Sequence, residues 1–175
     1  MYEKLIRSMK RTYAVLLIFL GIMIVCVIGS MIAAGIHLLV PILFTAAILG
    51  VGAYFIYKAY RNVDKNAKLL QDELGIQSDE EFNILLENSD RLATYVFLTK
   101  THLIVFNKFM SFELDKIGVL EKTCHSDDES TTYCIAVSVG NGIKEISFPN
   151  EKKRNAAFNA VNTAIGNGVG DKRLW

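Results

Sequence analysis

Groups able to do chemistry are sparse in this chain, and most of them gather in one short window. Cys124, His125, Asp127, Asp128, Glu129 and Cys134 bring thiol, imidazole and carboxylate together. Thiolates with imidazole suit zinc. The spacing argues otherwise, because a Cys-x9-Cys pair has no short chelating step and matches no zinc knuckle or finger. Asp127-Asp128-Glu129 lacks the alternating oxygen donors and central glycine of a calcium-binding loop. The chain has three histidines and no Gly-x-Ser-x-Gly elbow, so nothing sets a nucleophile beside a base. The expectation is therefore no metal, no cofactor and no catalysis. The window reads as a solvated loop between two strands, ending in two small, half-buried thiols.

Anion recognition is the next chemistry to weigh. Clustered phosphates need several Lys or Arg side chains converging on one place. The candidates for lipid headgroups are Lys58, Arg61, Lys65 and Lys68, spaced along one helical face, with Lys100 and Lys108 in later turns. Each cation held at an anionic surface is worth about 1 kcal/mol. The same residues read equally as a solvated face. Lys152-Lys153-Arg154, at the start of a helix, reads as a solvated face too. A formal net charge of +1 offers no field to steer nucleic acid. Gly166, Gly168 and Gly170 follow a helix instead of joining a strand to one, which marks a flexible tail over 167–175 and no phosphate loop.

The elements that must position these groups are dominated by Tyr13–Tyr57, which holds no Lys, Arg, Asp or Glu. As one straight helix it would measure roughly 68 Å, about twice a ~30 Å hydrocarbon core. It must fold back, and the mildly polar break at Ala34-Gly35-Ile36-His37 gives the place. The reading is a transmembrane hairpin over 12–57, with spans at about 12–34 and 38–57. Lys4, Arg7, Lys10 and Arg11 precede it in a basic tail (1–11), and Lys58, Arg61, Lys65 and Lys68 follow. Basic flanks stay on the cytoplasmic side, so both termini are expected in the cytoplasm of a multi-pass protein of the cell membrane. Residues 1–35 could alternatively be a signal peptide, but the apolar run is too long and a second one follows directly.

Small residues inside the hairpin are spaced for close helix contact. Gly21, Gly29 and Ala33 lie on the first helix, Ala46 and Gly50 on the second. Such spacing lets backbones approach without a hydrophobic drive between helices. It serves either the packing of one helix on the other or association between hairpins. Ion pathways show ionisable groups or broken helices at the midplane; neither is present, which speaks against transport. Cys26 lies within a span and the other two cysteines face a reducing compartment, so no disulfide is expected.

Beyond the hairpin, 58–90 reads as a helical linker. Ile56, Tyr60, Val63, Ala67, Leu70 and Leu74 form a short a/d seam, usable for docking on the chain's own domain or for a homodimer. Gly75 ends that helix. Ser78 and Glu81 form a capping box for a short helix carrying Phe82, Leu85 and Leu86. From Leu92 the apolar period becomes two. Six strands are expected: Leu92–Thr99, His102–Asn107, Ser111–Leu114, Lys116–Thr123, Thr132–Val139 and Ile143–Phe148. Asn150 then caps a helix with Ala157, Phe158, Val161 and Ile165 on its inner face.

Leu98-Thr99-Lys100-Thr101-His102-Leu103-Ile104 resembles a strand–turn–strand motif of bacterial pleckstrin-homology-like domains, also seen in GRAM-type domains. Phe112-Glu113-Leu114-Asp115-Lys116-Ile117 is similar to that family's next strand, and the Ile146–Lys152 run into the last helix is similar to its ending. The family's usual Arg is His102 here, and six strands stand where that fold has seven. The resemblance implies a PH-like antiparallel β-barrel or sandwich capped by a C-terminal helix, over 91–166. The fold class is thus a membrane α-helical hairpin plus a small α+β domain. The expected function is a non-enzymatic, membrane-anchored interaction module with a protein partner or a second copy of itself. An accessory subunit held through its hairpin, or an anionic-lipid sensor, are the alternatives.

Overall fold

The computed structural model describes residues 1–33, 39–127, 130–140 and 142–168. His37, Asp128, Glu129, Asn141 and Trp175 lie outside them. The chain forms two compact units, Tyr2–Lys68 and the residues from Leu69 onward.

The first unit is built from α1 (Tyr2–Ala33) and most of α2 (Leu39–Glu73). Helix α1 starts ten residues before the expected span, so the basic tail is helical rather than a separate segment. Lys10 Nζ meets Asp64 Oδ2 at 2.6 Å, and Leu20 Cδ2 lies 3.7 Å from where a Cβ on Gly52 would sit. Contacts that move forward along α1 and backward along α2 define antiparallel helices. Near the Lys10–Asp64 pair, Tyr2, Leu5 and Met9 on α1 and Val63 and Ala67 on α2 are buried, whereas Lys58, Arg61, Lys65 and Lys68 are exposed. Val63 and Ala67 of the seam are thus buried within a single chain, with no second copy needed to cover them.

The middle of α1 behaves differently. Ile18, Phe19, Ile22 and Val25 are all more than half exposed, Val25 at 71%, and none of the most apolar window is buried. A core helix of a water-soluble domain would bury that face. Among the described residues, one helix, Tyr2–Met31, is long and apolar enough to cross a membrane, with a mean hydropathy of 2.8. Helix α2 adds no second candidate among those residues. Of the two uses open to the small residues, the contacts of the described residues do not show packing between α1 and α2. A Cβ on Gly21, Gly29 or Gly50 would meet nothing within 4 Å, and Ala33 is exposed. Helix rotation explains this: Leu20 and Gly52 occupy the contact face, which leaves Gly21 and Gly29 turned outward. The side chain of Ala46 lies outside the description.

The second unit starts at the end of α2. Ile76 N–H donates to Gln71 O at 2.9 Å and Gly75 N–H to Asp72 O at 3.1 Å, with Gly75 at φ +70°. This is a Schellman closure, and glycine takes the left-handed backbone without a Cβ penalty. Helix α3 (Asp79–Glu87) is capped by Ser78, whose Oγ accepts from Glu81 N–H at 3.1 Å; the Glu81 carboxylate accepts in return from Gln77 N–H at 3.0 Å.

Among the described residues seven strands come next, in two antiparallel sheets. The first runs β1 (Asp90–Ala93), β2 (Val96–Leu98), β3 (His102–Val105), β4 (Met110–Glu113) in sequence order. The second runs β5 (Ile117–Asp127), β6 (Ser130–Val139), β7 (Gly142–Phe148). No ladder joins the sheets among the described residues, so the barrel is not closed. Two expectations change here. The single strand expected over Leu92–Thr99 is two, because the chain turns at Thr94-Tyr95 and β1 pairs back on β2. The expected acidic loop is largely strand: β5 and β6 stay paired out to Asp127 and Ser130.

One core lies between the sheets and α4 (Glu151–Gly168). It holds Val96, Leu98, Leu103, Val105, Phe112, Ile135, Val137, Ile146 and Phe148 with Ala157, Val161 and Ile165 of α4. Strand alternation places Phe97 and Ile104, both fully buried, on the other face of the first sheet. Fully buried Phe82 of α3 stacks near Phe106 at 6.0 Å between centroids. Asn150 caps α4 by accepting from Lys153 N–H at 2.9 Å. Arg154 is not part of a solvated face: it is 8% exposed, donates to Thr123 O at 3.3 Å and Glu151 Oε1 at 3.0 Å, and lies over the Tyr133 ring. Lys152 and Lys153 are exposed as expected.

Candidate functional site

The three-stranded sheet has one face in the core and one turned out. Ile135, Val137, Ile146 and Phe148 point inward. Register pairs Thr123 with Cys134 and Cys134 with Ser147, and Ala136 with Glu145, so these residues share the outer face with His125, two positions along from Thr123. Cys124 is opposite Tyr133 and therefore on the other face. The two thiols that sequence spacing brought under suspicion do not converge, and both are free. The acid that does converge is Glu145, from a strand outside the Cys124–Cys134 window.

His125 Nε2 lies 2.9 Å and 3.0 Å from the two carboxylate oxygens of Glu145. Thr123 Oγ1 donates to Glu145 Oε1 at 3.2 Å. The hydrogen bond from His125 holds the Glu145 carboxyl below its usual range; partial burial opposes, and Thr123 and the nearby Lys108 charge add to the lowering. Cys134, only 2% exposed, donates from Sγ to Ser147 Oγ at 3.5 Å. The donor atoms of His125, Cys134 and Glu145 all lie within 4.8 Å of one another. Among the described residues this is the one such His/Cys/carboxylate group.

A second polar region surrounds the β2–β3 turn. His102 N–H donates to Thr99 Oγ1 at 2.8 Å and Thr99 N–H to His102 O at 2.9 Å, which tightens the loop carrying Lys100. A cleft of about 410 Å³ runs between this turn, Glu113-Leu114-Asp115 and the end of α4; a neighbouring one of about 580 Å³ includes Asp90, Lys100 and Thr163. Their charges are mixed: Lys100 and His102 face Glu113 and Asp115. The Glu113 carboxyl is lowered by its hydrogen bond to Lys116, 2.6 Å away, so it stays an anion. An anionic ligand would meet this carboxylate beside the lysine. Lys108 lies at the opposite end of β3 and donates to Glu145 O at 2.6 Å. Lys100 and Lys108 therefore do not form one phosphate-binding cluster. Lys58, Arg61, Lys65 and Lys68 remain together on the exposed side of α2.

Comparison with protein-family models, with curated proteins and with solved structures finds no match to this chain.

Proposed function

We propose that this protein is a membrane-anchored, non-enzymatic interaction module, presenting its α+β domain at the cytoplasmic face of the cell membrane. The observation that carries the reading is the apolar middle of α1, none of whose residues the fold fully buries. An apolar surface of that length in water is a strong drive to leave it. In this reading α1 and the first part of α2 both span, and the basic residues at their shared end hold both termini in the cytoplasm. Seven strands in four-plus-three order with a C-terminal helix agree with the pleckstrin-like resemblance. The partner is a protein or a second copy, since anchoring raises the effective concentration for weak contacts and the open sheets offer strand edges.

The outward-facing Gly21, Gly29, Ala33 and Gly50 favour a second reading, an accessory subunit bound to a larger membrane complex through the hairpin itself. Small residues directed away from the partner helix permit close approach by another helix. Anionic-lipid sensing has less support, because Lys100 and Lys108 sit apart. Exchange of residues 12–57 for an unrelated hairpin separates the first two, read by crosslinking in native membranes and identification of what co-purifies. Retained capture supports the interaction domain. Loss of capture with the domain still folded moves the binding surface into the hairpin.

A further inference from the structure

We propose that His125 Nε2, Cys134 Sγ and a carboxylate oxygen of Glu145 form a binding site for a zinc-class divalent ion on the outer face of the three-stranded sheet. This site is independent of the interaction role.

Three adjacent strands each supply one donor. Cys134 lies on the middle strand, while His125 on β5 and Glu145 on β7 stand two positions from its register partners in opposite directions. The imidazole and carboxylate reach diagonally toward each other and meet within 4.8 Å of the buried thiol. Short side chains form the floor: Thr123, Ala136 and Ser147 share this face with Cys134. A hydrogen-bonded ladder holds their backbones, so the donors need only side-chain adjustment to close on an ion.

Distances agree with that adjustment. Zinc sits about 2.0–2.3 Å from N, O and S donors, so two tetrahedral donors stand roughly 3.4–3.6 Å apart. The His125–Glu145 contact at 2.9 Å has to open by about half an ångström, and the thiol has to approach. His125 and Glu145 have the freedom for this, being 59% and 39% exposed in their side chains.

The surrounding bonds are of the kind that orient ligands. Thr123 Oγ1 donates to Glu145 Oε1, Ser147 Oγ lies beside the thiol, and Lys108 Nζ fixes the Glu145 carbonyl. A sulfur, nitrogen and oxygen set disfavours calcium and magnesium and suits zinc. Three protein ligands leave a fourth position for water or for a donor from a bound partner. On metal binding the thiol proton is released to solvent and the thiolate becomes the ligand.

The test uses the full chain, solubilised in detergent and carrying Cys26→Ser so that sulfur ligation is reported by the domain alone. Cobalt(II) titration is expected to produce a thiolate-to-metal charge-transfer band with the strong visible bands of a four-coordinate ion, and one equivalent of zinc should abolish them. Cys134→Ser should remove the charge-transfer band. His125→Ala and Glu145→Gln should each weaken zinc at least about 10-fold in competition titrations, and Cys124→Ser should change nothing. X-ray absorption of the zinc form should show one sulfur among N/O ligands. Absence of the band in the parent protein, its persistence in Cys134→Ser, or a shell with two sulfurs would overturn the proposal. Should Cys134→Ser fail to fold, the exposed-site variants decide: parental affinity in either His125→Ala or Glu145→Gln rejects the site.

Discussion

Two side chains on this protein are about equally exposed, yet only one of them should respond to replacement by lysine. Val25 in α1 is 71% exposed and Ile143 at the start of β7 is 70% exposed. Neither replacement by lysine removes a packed core contact. In water both should shift stability by no more than about 0.5 kcal/mol. In a bilayer the two part company. Val25 lies roughly 18 Å along α1 from Tyr13, close to the middle of a ~30 Å hydrocarbon core. Lysine there costs about 2.5–3.5 kcal/mol, and valine's favourable contribution of about 0.3–0.6 kcal/mol is lost as well. The sum, about 3–4 kcal/mol, lowers the insertion equilibrium by roughly 100- to 1000-fold. The assay is an insertion reporter fused after α1, with alkaline extraction of membranes as a second readout. Val25→Lys should fall sharply in the inserted fraction and Ile143→Lys should match the parent. Equal insertion of the two variants would refute the claim that the exposed face of α1 meets lipid.

The α+β domain yields three further outcomes. Phe97→Ala, at a fully buried position, should destabilise the α+β unit by about 3–5 kcal/mol, read by denaturant unfolding in detergent; a loss below ~1 kcal/mol would contradict the burial of Phe97 on the second face of the first sheet. Gly75→Ala should cost about 1 kcal/mol and Gly75→Asn less, because at φ +70° the strain is backbone alone and nothing lies within 4 Å of an added Cβ. For Glu145, an NMR titration should give a midpoint below the ordinary carboxylate value, and His125→Ala should raise it. The sign comes from a folded value that is depressed: the contribution to stability is present above the unfolded value and fades as pH falls through the folded one. An unchanged midpoint in His125→Ala would deny the pairing.

Local signals in the sequence carried much of the fold. The Gly75 stop, the Ser78 and Asn150 caps and, apart from the far end of the β5–β6 hairpin, the strands from His102 to Phe148 rest on neighbouring residues, and they stand where the pattern put them. What was hidden depends on partners distant in sequence. The split of Leu92–Thr99 into β1 and β2 carries no Gly or Pro at Thr94-Tyr95, so a stretch without turn residues concealed a turn. The far end of the β5–β6 hairpin is exposed, and polar strands there look like loop. Arg154 looked like one of three surface cations until Thr123 O, Glu151 and the Tyr133 ring were beside it. Gly21 and Gly29 had the right spacing for contact, but spacing does not fix how a helix is rotated against its neighbour. The His125–Cys134–Glu145 group required the register of three strands, and the one sequence cue was alternation placing His125 with Thr123, and Cys134 with Ala136, on faces of like parity.

The central claim is an anchored chain whose domain faces the cytoplasm, and the exposed thiol of Cys124 reads it out directly. In a Cys26→Ser background, intact cells are treated with a membrane-impermeant maleimide, then permeabilised and treated again. Cys124 should remain unmodified in the first step and react in the second. Modification in intact cells would put the domain outside and contradict the account.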